Sequence, residues 1–152
     1  MNRILEIIGD LRKAGPELLR VESPVPMDHA AVDPTHLKVE LAAGAAARLV
    51  VLHTKADVAR LDVELAEGAQ LELTELFLAE AFADVRIAQQ ARSRCRMTAV
   101  ELSGANASYR IDLNGAGAEN DLGGVFLATG TDHCVVRLHT AHNVPGDRKS
   151  VV

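Results

Sequence analysis

From His36 onward, apolar and polar residues alternate along most of the chain. In the first such segment Leu37, Val39 and Leu41 occupy every second position, and the residues between them are charged, as at Lys38. Successive side chains of a β-strand point to opposite faces, which gives this period of two. The pattern therefore predicts short strands, each with a buried apolar face and a polar face that meets solvent.

The alternating pattern also repeats. Residues 36–45 and 60–69 are identical at seven of ten positions and lie 24 residues apart. A fixed period of this length is typical of folds in which one structural unit stacks on the next. The later copies are less regular: we align Val85 and Ile87 22 residues after Val63 and Leu65, Tyr109 and Ile111 24 residues further on, and Val136 and Leu138 25 residues after Ile111 and Leu113.

This repeat predicts an all-β fold, a parallel β-helix of about five coils over residues 36–152. Each coil holds two or three short strands, separated by Gly-Ala, Asn-Gly or Gly-Gly corners. A single coil has nothing to cover its apolar face, whereas stacked coils bury that face in ladders of equivalent side chains. A β-sandwich, which also has short alternating strands, is the main alternative. The near-identical copies favour the β-helix.

The N-terminal segment has a different period. Ile4, Ile8 and Leu11 fall on one face of a helix predicted over residues 2–14, which Gly15-Pro16 ends. The simplest interpretation is a helix that covers one end of the core. A membrane-surface helix needs a basic polar face, and this polar face carries both signs. The predicted organisation is one domain with three parts: helix and cap (1–21), a Pro-rich connector without an element of its own (22–35), and the β-helix (36–152).

Composition and charge narrow the class of protein. Apolar residues make up 48% of the 152 residues, which is enough for a folded core. The net charge of −5 argues against a nucleic-acid partner. No apolar run is long enough to predict a membrane span. Two cysteines and the lack of a secretory segment predict a reducing, cytoplasmic location.

The richest set of chemical side chains lies within residues 131–143. His133, Cys134, His139 and His142 are close together in sequence, and His and Cys are typical ligands of metals and iron–sulfur clusters. Strand alternation directs Cys134 inward and His133 and His139 outward, so one flat strand cannot bring all four together. The simpler interpretation is a buried structural thiol with surface histidines. A metal or thiol enzyme that uses Cys134 with His139 or His142 is a further hypothesis.

The second thiol, Cys95, is flanked by arginines. Alternation places Ser93, Cys95 and Met97 inward and the arginines outward. A buried small hydrophobe is the favoured interpretation, and a thiolate activated by the arginines is the alternative. The Gly-rich stretch 114–124 lacks the Lys and spacing of a phosphate-binding loop and is interpreted as coil corners. With no nucleophile–base motif in the sequence, we expect a protein that is not an enzyme.

Several segments of the C-terminal third, taken in order, resemble a known family. They are residues 109–118, residues 122–130, residues 139–142, Pro145 and Ser150. Taken in this order, they are similar to the SufB/SufD family, components of the iron–sulfur cluster assembly complex. The order carries the resemblance, since each segment alone is degenerate, and residues 36–77 resemble the earlier coils of the family.

The resemblance implies a right-handed parallel β-helix. It further implies a non-catalytic protein that acts with a SufC-like ATPase of the ABC type or a SufB-like subunit to assemble or transfer clusters. An iron–sulfur cluster or iron, held transiently, is the cofactor it suggests. Cys134, His139 and His142 are the candidate metal ligands, and His142 is the one that matches the family pattern. The alternative is a truncated β-helix that serves as a structural or interaction module and self-associates without binding a cluster.

Where the β-helix stops also leads to an expectation. If its last coil ends at Val152, backbone groups and apolar side chains at that end are uncovered. The N-terminal helix covers one end at most. We therefore expect a homo-oligomer, or a complex with a partner, formed through an exposed end or edge of the β-helix.

Overall fold

The computed structural model describes residues 17–102, 105–126, 135–143 and 148–151. The helix predicted over 2–14 lies outside these residues, and the described part contains no helix that is long and apolar enough to cross a membrane. Its regular elements are twelve strands: β1 (Glu17–Val21), β2 (Met27–Val32), β3 (His36–Leu41), β4 (Ala46–His53), β5 (Val58–Leu65), β6 (Gln70–Phe77), β7 (Phe82–Gln89), β8 (Arg94–Glu101), β9 (Asn106–Leu113), β10 (Glu119–Phe126), β11 (Val135–His142) and β12 (Arg148–Val151).

The strands alternate between two six-stranded sheets, an odd sheet (β1-β3-β5-β7-β9-β11) and an even sheet (β2-β4-β6-β8-β10-β12). All pairings among the described strands are parallel, so each pair of consecutive strands forms one turn of a β-solenoid. Strands of eight residues, β4 to β11, make about four turns, with shorter strands on either side. The parallel β-helix prediction is confirmed in this form, and the antiparallel sandwich is excluded. The predicted count of about five coils is not confirmed.

The register agrees with the repeat in its first copies and corrects it later. Leu37 pairs with Leu61 and Val39 with Val63, at the predicted spacing of 24. Val85 pairs with Leu61, also 24 residues away, so its predicted alignment with Val63 is wrong by two residues. A shift of the register by two residues leaves every side chain on the same face of the sheet, so the alternation of apolar and polar residues cannot detect it. In the last coil the predicted spacing of 25 is also wrong, because Leu138 pairs with Tyr109, 29 residues earlier.

The solenoid begins before His36. Strand β1 lies within the segment predicted to be a helix and cap, and β2 lies within the predicted connector. Pro26 immediately precedes β2 and Pro34 follows it, so neither proline has to donate a hydrogen bond inside the strand. The interpretation of residues 22–35 as a connector without an element is therefore corrected.

The core lies between the two sheets. Leu61, Val63, Leu65 and their ladder neighbours are almost completely buried, as the alternation predicted. The connections from odd to even strands form one side of the solenoid, which we call the glycine edge (residues 42–45, 66–69, 90–93 and 114–118). Gly44, Gly68 and Gly117 take positive φ angles of 71°, 72° and 75° there. Glycine adopts this left-handed conformation without steric cost, and the equivalent chain reversal is thus repeated along the edge.

Candidate functional site

The predicted metal ligands lie at one end of the solenoid. His139 and His142 are on β11, the outermost described strand of the odd sheet. Cys134 and His133 are outside the described residues. His139 is in register with Arg110 and is exposed, so its outward direction agrees with the alternation.

His142 has a different position from His139. It is in register with Leu113, which is completely buried in the preceding coil of the same sheet. His142 thus occupies an inward-facing ladder position, yet it is exposed because it stands on the outermost described coil. The two histidines belong to opposite faces of β11 and do not converge on one site.

The described residues do not assemble a metal centre by themselves. Within ranges 17–102, 105–126, 135–143 and 148–151, no group of three or more His, Cys, Asp or Glu side chains is arranged to hold a metal ion. A set of three or more ligands that includes His142 therefore needs donors from outside the described residues.

A buried polar cluster that the sequence analysis missed crosses the middle of the core. Glu75 on β6, only 1% exposed, accepts a hydrogen bond from the hydroxyl of Tyr109 on β9 of the opposite sheet. His53 Nε2 on β4 lies 3.4 Å from the other carboxylate oxygen of Glu75. The His53 ring stacks on Phe77, with ring centroids 4.4 Å apart. Three strands and both sheets are thus joined through one carboxylate.

Burial sets the electrostatics of this cluster. It raises the pKa of the Tyr109 hydroxyl well above its ordinary range, and the neighbouring Glu75 carboxylate raises it further. Tyr109 therefore stays neutral and keeps donating to Glu75 at physiological pH. The cluster is enclosed in the core and links the two sheets through the hydrogen bond between Tyr109 and Glu75.

The sequence does carry a signal for this cluster. Glu75 follows Leu71 and Leu73 at every second position, which is an inward position by the same alternation that predicted the strands. An acidic residue at an inward position needs a buried partner. The partner, Tyr109, lies 34 residues away on the other sheet, and no pattern in the sequence connects the two.

A second buried polar group lies near the glycine edge. Asn120 Nδ2 donates to Gln89 Oε1 at 2.8 Å, and Gln89 Nε2 donates to the carbonyl of Glu119 at 2.8 Å. Gln89 is on the odd sheet and Asn120 on the even sheet. This group therefore also ties the sheets together, at the opposite side of the core from His53.

Cys95 is a structural thiol. It is only 2% exposed, and burial raises the pKa of its thiol to about 12. The alternative of a thiolate activated by the flanking arginines is therefore wrong, since the arginines are exposed and burial, followed by the nearby Asp121 carboxylate, raises the pKa of the thiol.

We expect Cys95 to resist thiol reagents in the folded protein. A pKa of about 12 instead of 9 lowers the thiolate fraction at pH 8 about a thousand-fold, and burial adds a steric barrier. In a Cys134→Ser variant, Ellman's reagent should label Cys95 rapidly in urea and at least about a thousand-fold more slowly in buffer. Comparable rates in the two conditions would show that Cys95 is accessible and would contradict its buried position.

The outer face of the even sheet carries a charge ladder. One ladder position holds, from coil to coil, side chains of strictly alternating sign, which attract their neighbours and help to fix the register. Four of these five side chains line part of a shallow groove. Arg48 forms an ion pair of 2.6 Å with Asp28, the fifth. The ladder consists of Asp28, Arg48, Glu72, Arg96 and Asp121.

Comparisons of the chain with family models, with curated proteins and with solved structures found no match.

Proposed function

We propose that this protein is a SufB/SufD-like scaffold or accessory component of iron–sulfur cluster assembly, which acts with an ABC-type ATPase partner. The observation that carries the proposal is the position of His142. This histidine, which matches the family pattern, stands at an inward ladder position on the outermost described coil and is exposed there. The resemblance also implies a parallel β-helix, which agrees with the parallel solenoid, and the right-handed winding belongs to the same proposal.

The outermost coil is suited to meeting another protein. Leu138 and Thr140 occupy inward ladder positions on β11 and are only half-buried, unlike Tyr109 and Ile111 one coil earlier. A subunit that adds a strand beside β11 would cover them and would bring its own side chains next to His142. The cluster is then cargo held between subunits, with His142 as one ligand and Cys134 as the second candidate from this chain.

Anaerobic reconstitution tests this proposal. The full chain, co-purified with a SufC-like ATPase and a SufB-like subunit, is treated with ferrous iron and sulfide, and visible absorbance of a bound cluster is recorded. We expect His142→Ala to lose about ten-fold or more of the bound cluster and Cys134→Ala to behave similarly. His139→Ala is the matched control, because His139 lies on the outer face and should leave the absorbance unchanged. No absorbance in the wild type, or equal loss in both histidine variants, would overturn the proposal.

The alternative of a self-associating module is favoured by the same exposed coil. It requires no cluster, only that β11 or β12 pairs with a second copy. Light scattering at micromolar concentration separates the two functions. A dimer or larger species that binds neither cluster nor ATPase supports the self-associating module, whereas a monomer that acquires both from its partners supports the scaffold.

A further inference from the structure

The connections from even to odd strands (residues 33–35, 54–57 and 78–81, and the one that begins at Leu102), with the first residue of each strand that follows, form a second side of the solenoid, which we call the apolar edge. Seven large hydrophobic side chains in the described residues are exposed, and four of them lie on this edge. Val58 is 65% exposed, Leu78 48%, Phe82 41% and Leu102 45%. Solvent-exposed apolar groups of this kind, clustered in one place, mark a surface that something else covers.

The four side chains, which we call the stripe, occupy two repeated positions in neighbouring coils. The Leu78 amide donates to the carbonyl of His53 and the Leu102 amide to that of Phe77, so the two leucines occupy equivalent corner positions in successive coils. Val58 and Phe82 are paired in register at the other end of the same corners.

The stripe continues onto the outer face of the even sheet. There the ladder of Leu52, Leu76 and Val100 is half-buried and carries no charge. The stripe thus differs from the charge ladder at the other end of the same strands, where each coil supplies a charged side chain facing solvent.

The chain itself supplies a suitable occupant at this edge. Glu17, the first residue of β1, pairs with Leu37, which is the second residue after the corner at 33–35. The chain therefore enters β1 from the apolar edge. Val58 lies on the third strand of the odd sheet, two coil spacings or about 10 Å along the stack from β1.

The dimensions of the predicted N-terminal helix match this stripe. From Ile4 through Ile8 to Leu11 there are seven residue steps, or roughly 10 Å along a helix axis. Gly15-Pro16 allows the chain to reverse direction before β1. We propose that residues 4–11 pack with Ile4, Ile8 and Leu11 against the apolar edge of the same molecule. In this position they cover the side of the solenoid rather than its end, and the inference is independent of the proposed function.

A second copy of the chain is the competing occupant. A short connection to β1 holds residues 4–11 near the stripe at an effective concentration in the millimolar range, whereas a second copy competes at the micromolar concentration of the protein. The N-terminal segment of the same chain is therefore the favoured occupant.

Disulfide trapping tests the proposal. In a Cys134→Ser background, Ile8→Cys is combined with Leu78→Cys or, separately, with Leu102→Cys, and the protein is oxidised under mild conditions. We expect an intramolecular disulfide with at least one of the two partners. The matched control replaces Ile8→Cys by Glu6→Cys, which lies on the opposite helix face and should give about five-fold less disulfide. Equal yields from the two helix positions would overturn the proposal, and a product that is only intermolecular would assign the stripe to a second copy.

Dye binding gives a readout that does not depend on cysteine geometry. The triple variant Ile4→Ser, Ile8→Ser and Leu11→Ser should uncover the stripe and raise the fluorescence of anilinonaphthalene sulfonate several-fold, with the β-sheet circular dichroism unchanged. The control is the triple variant Arg3→Ser, Glu6→Ser and Asp10→Ser, which changes the polar face of the helix and should leave the fluorescence low. Fluorescence that stays low in the apolar triple variant would also overturn the proposal.

Discussion

Replacing Gly115 by alanine should destabilise the protein by about 3 kcal/mol or more, which is at the upper end for a single small overpacking change. A Cβ atom at Gly115 would lie 1.9 Å from the amide nitrogen of Ala91 and 2.4 Å from its Cα. Both contacts are with backbone, which has no rotamer to change. The coil at 114–118 would have to move away from the coil at 90–93, and the hydrogen bond from the Arg92 amide to the Ala116 carbonyl would be strained.

Urea denaturation of Gly115→Ala and Gly123→Ala measures this effect with a matched control. A Cβ at Gly123 meets nothing within 4 Å, so its free energy of unfolding should change by less than about 0.5 kcal/mol. If the two variants unfold at the same urea concentration, the close approach of Gly115 to the backbone of Ala91 is contradicted.

The reason for the close contact at Gly115 is an extra residue. The connections at 42–45, 66–69 and 90–93 have four residues each, whereas the connection at 114–118 has five. The pairing of β8 with β10 accordingly spans 25 residues, as for Arg94 and Glu119, instead of 24. The added residue has to fit between coils that keep the same spacing, and only glycine leaves room for the backbone of Ala91.

The sequence is most informative where the repeat is regular. The pairing of residues 36–41 with 60–65 follows directly from the identical positions, and the inward face follows from alternation. The register cannot be predicted where alternation is the only guide, because a shift of two residues gives the same pattern. The alignment of Val85 with Val63 instead of Leu61 is an example. The strand β2 was missed because prolines next to a strand look like prolines within a loop.

The candidate site could be predicted only in part. Direction along β11 followed from alternation, and His139 indeed faces outward. The inward position of His142 follows from the same alternation only because β11 extends to this residue, and the sequence pattern does not show where the strand ends. The pairing of Glu75 with Tyr109 depends on how the two sheets face each other, which a pattern within single strands does not encode.

Replacing Tyr109 by phenylalanine should have the second large effect, a loss of about 3 kcal/mol in the free energy of unfolding. The phenyl ring fills the same space, but the buried Glu75 carboxylate loses the donor from the odd sheet and, among the described residues, keeps His53 as its hydrogen-bond neighbour. In a Glu75→Leu background the same substitution should cost less than about 0.5 kcal/mol, because no buried acceptor is left unsatisfied. The difference between these two costs, measured by urea denaturation, is the coupling between Tyr109 and Glu75. Equal costs in both backgrounds would show that the hydroxyl contributes nothing through Glu75.

The pH dependence of this loss gives an independent check. The pKa of Tyr109 is raised in the folded protein, so above pH of about 10 the unfolded chain releases a proton that the folded protein retains. The unfolded state then binds fewer protons, and the wild type loses stability as the pH rises. Tyr109→Phe has no such proton to release, while Cys95 affects wild type and variant alike. The difference in the free energy of unfolding between wild type and variant should therefore have its largest value at neutral pH and decrease above pH of about 10. A difference that stays constant to higher pH would mean that Tyr109 ionises at its ordinary pKa, and so is not enclosed beside a buried carboxylate.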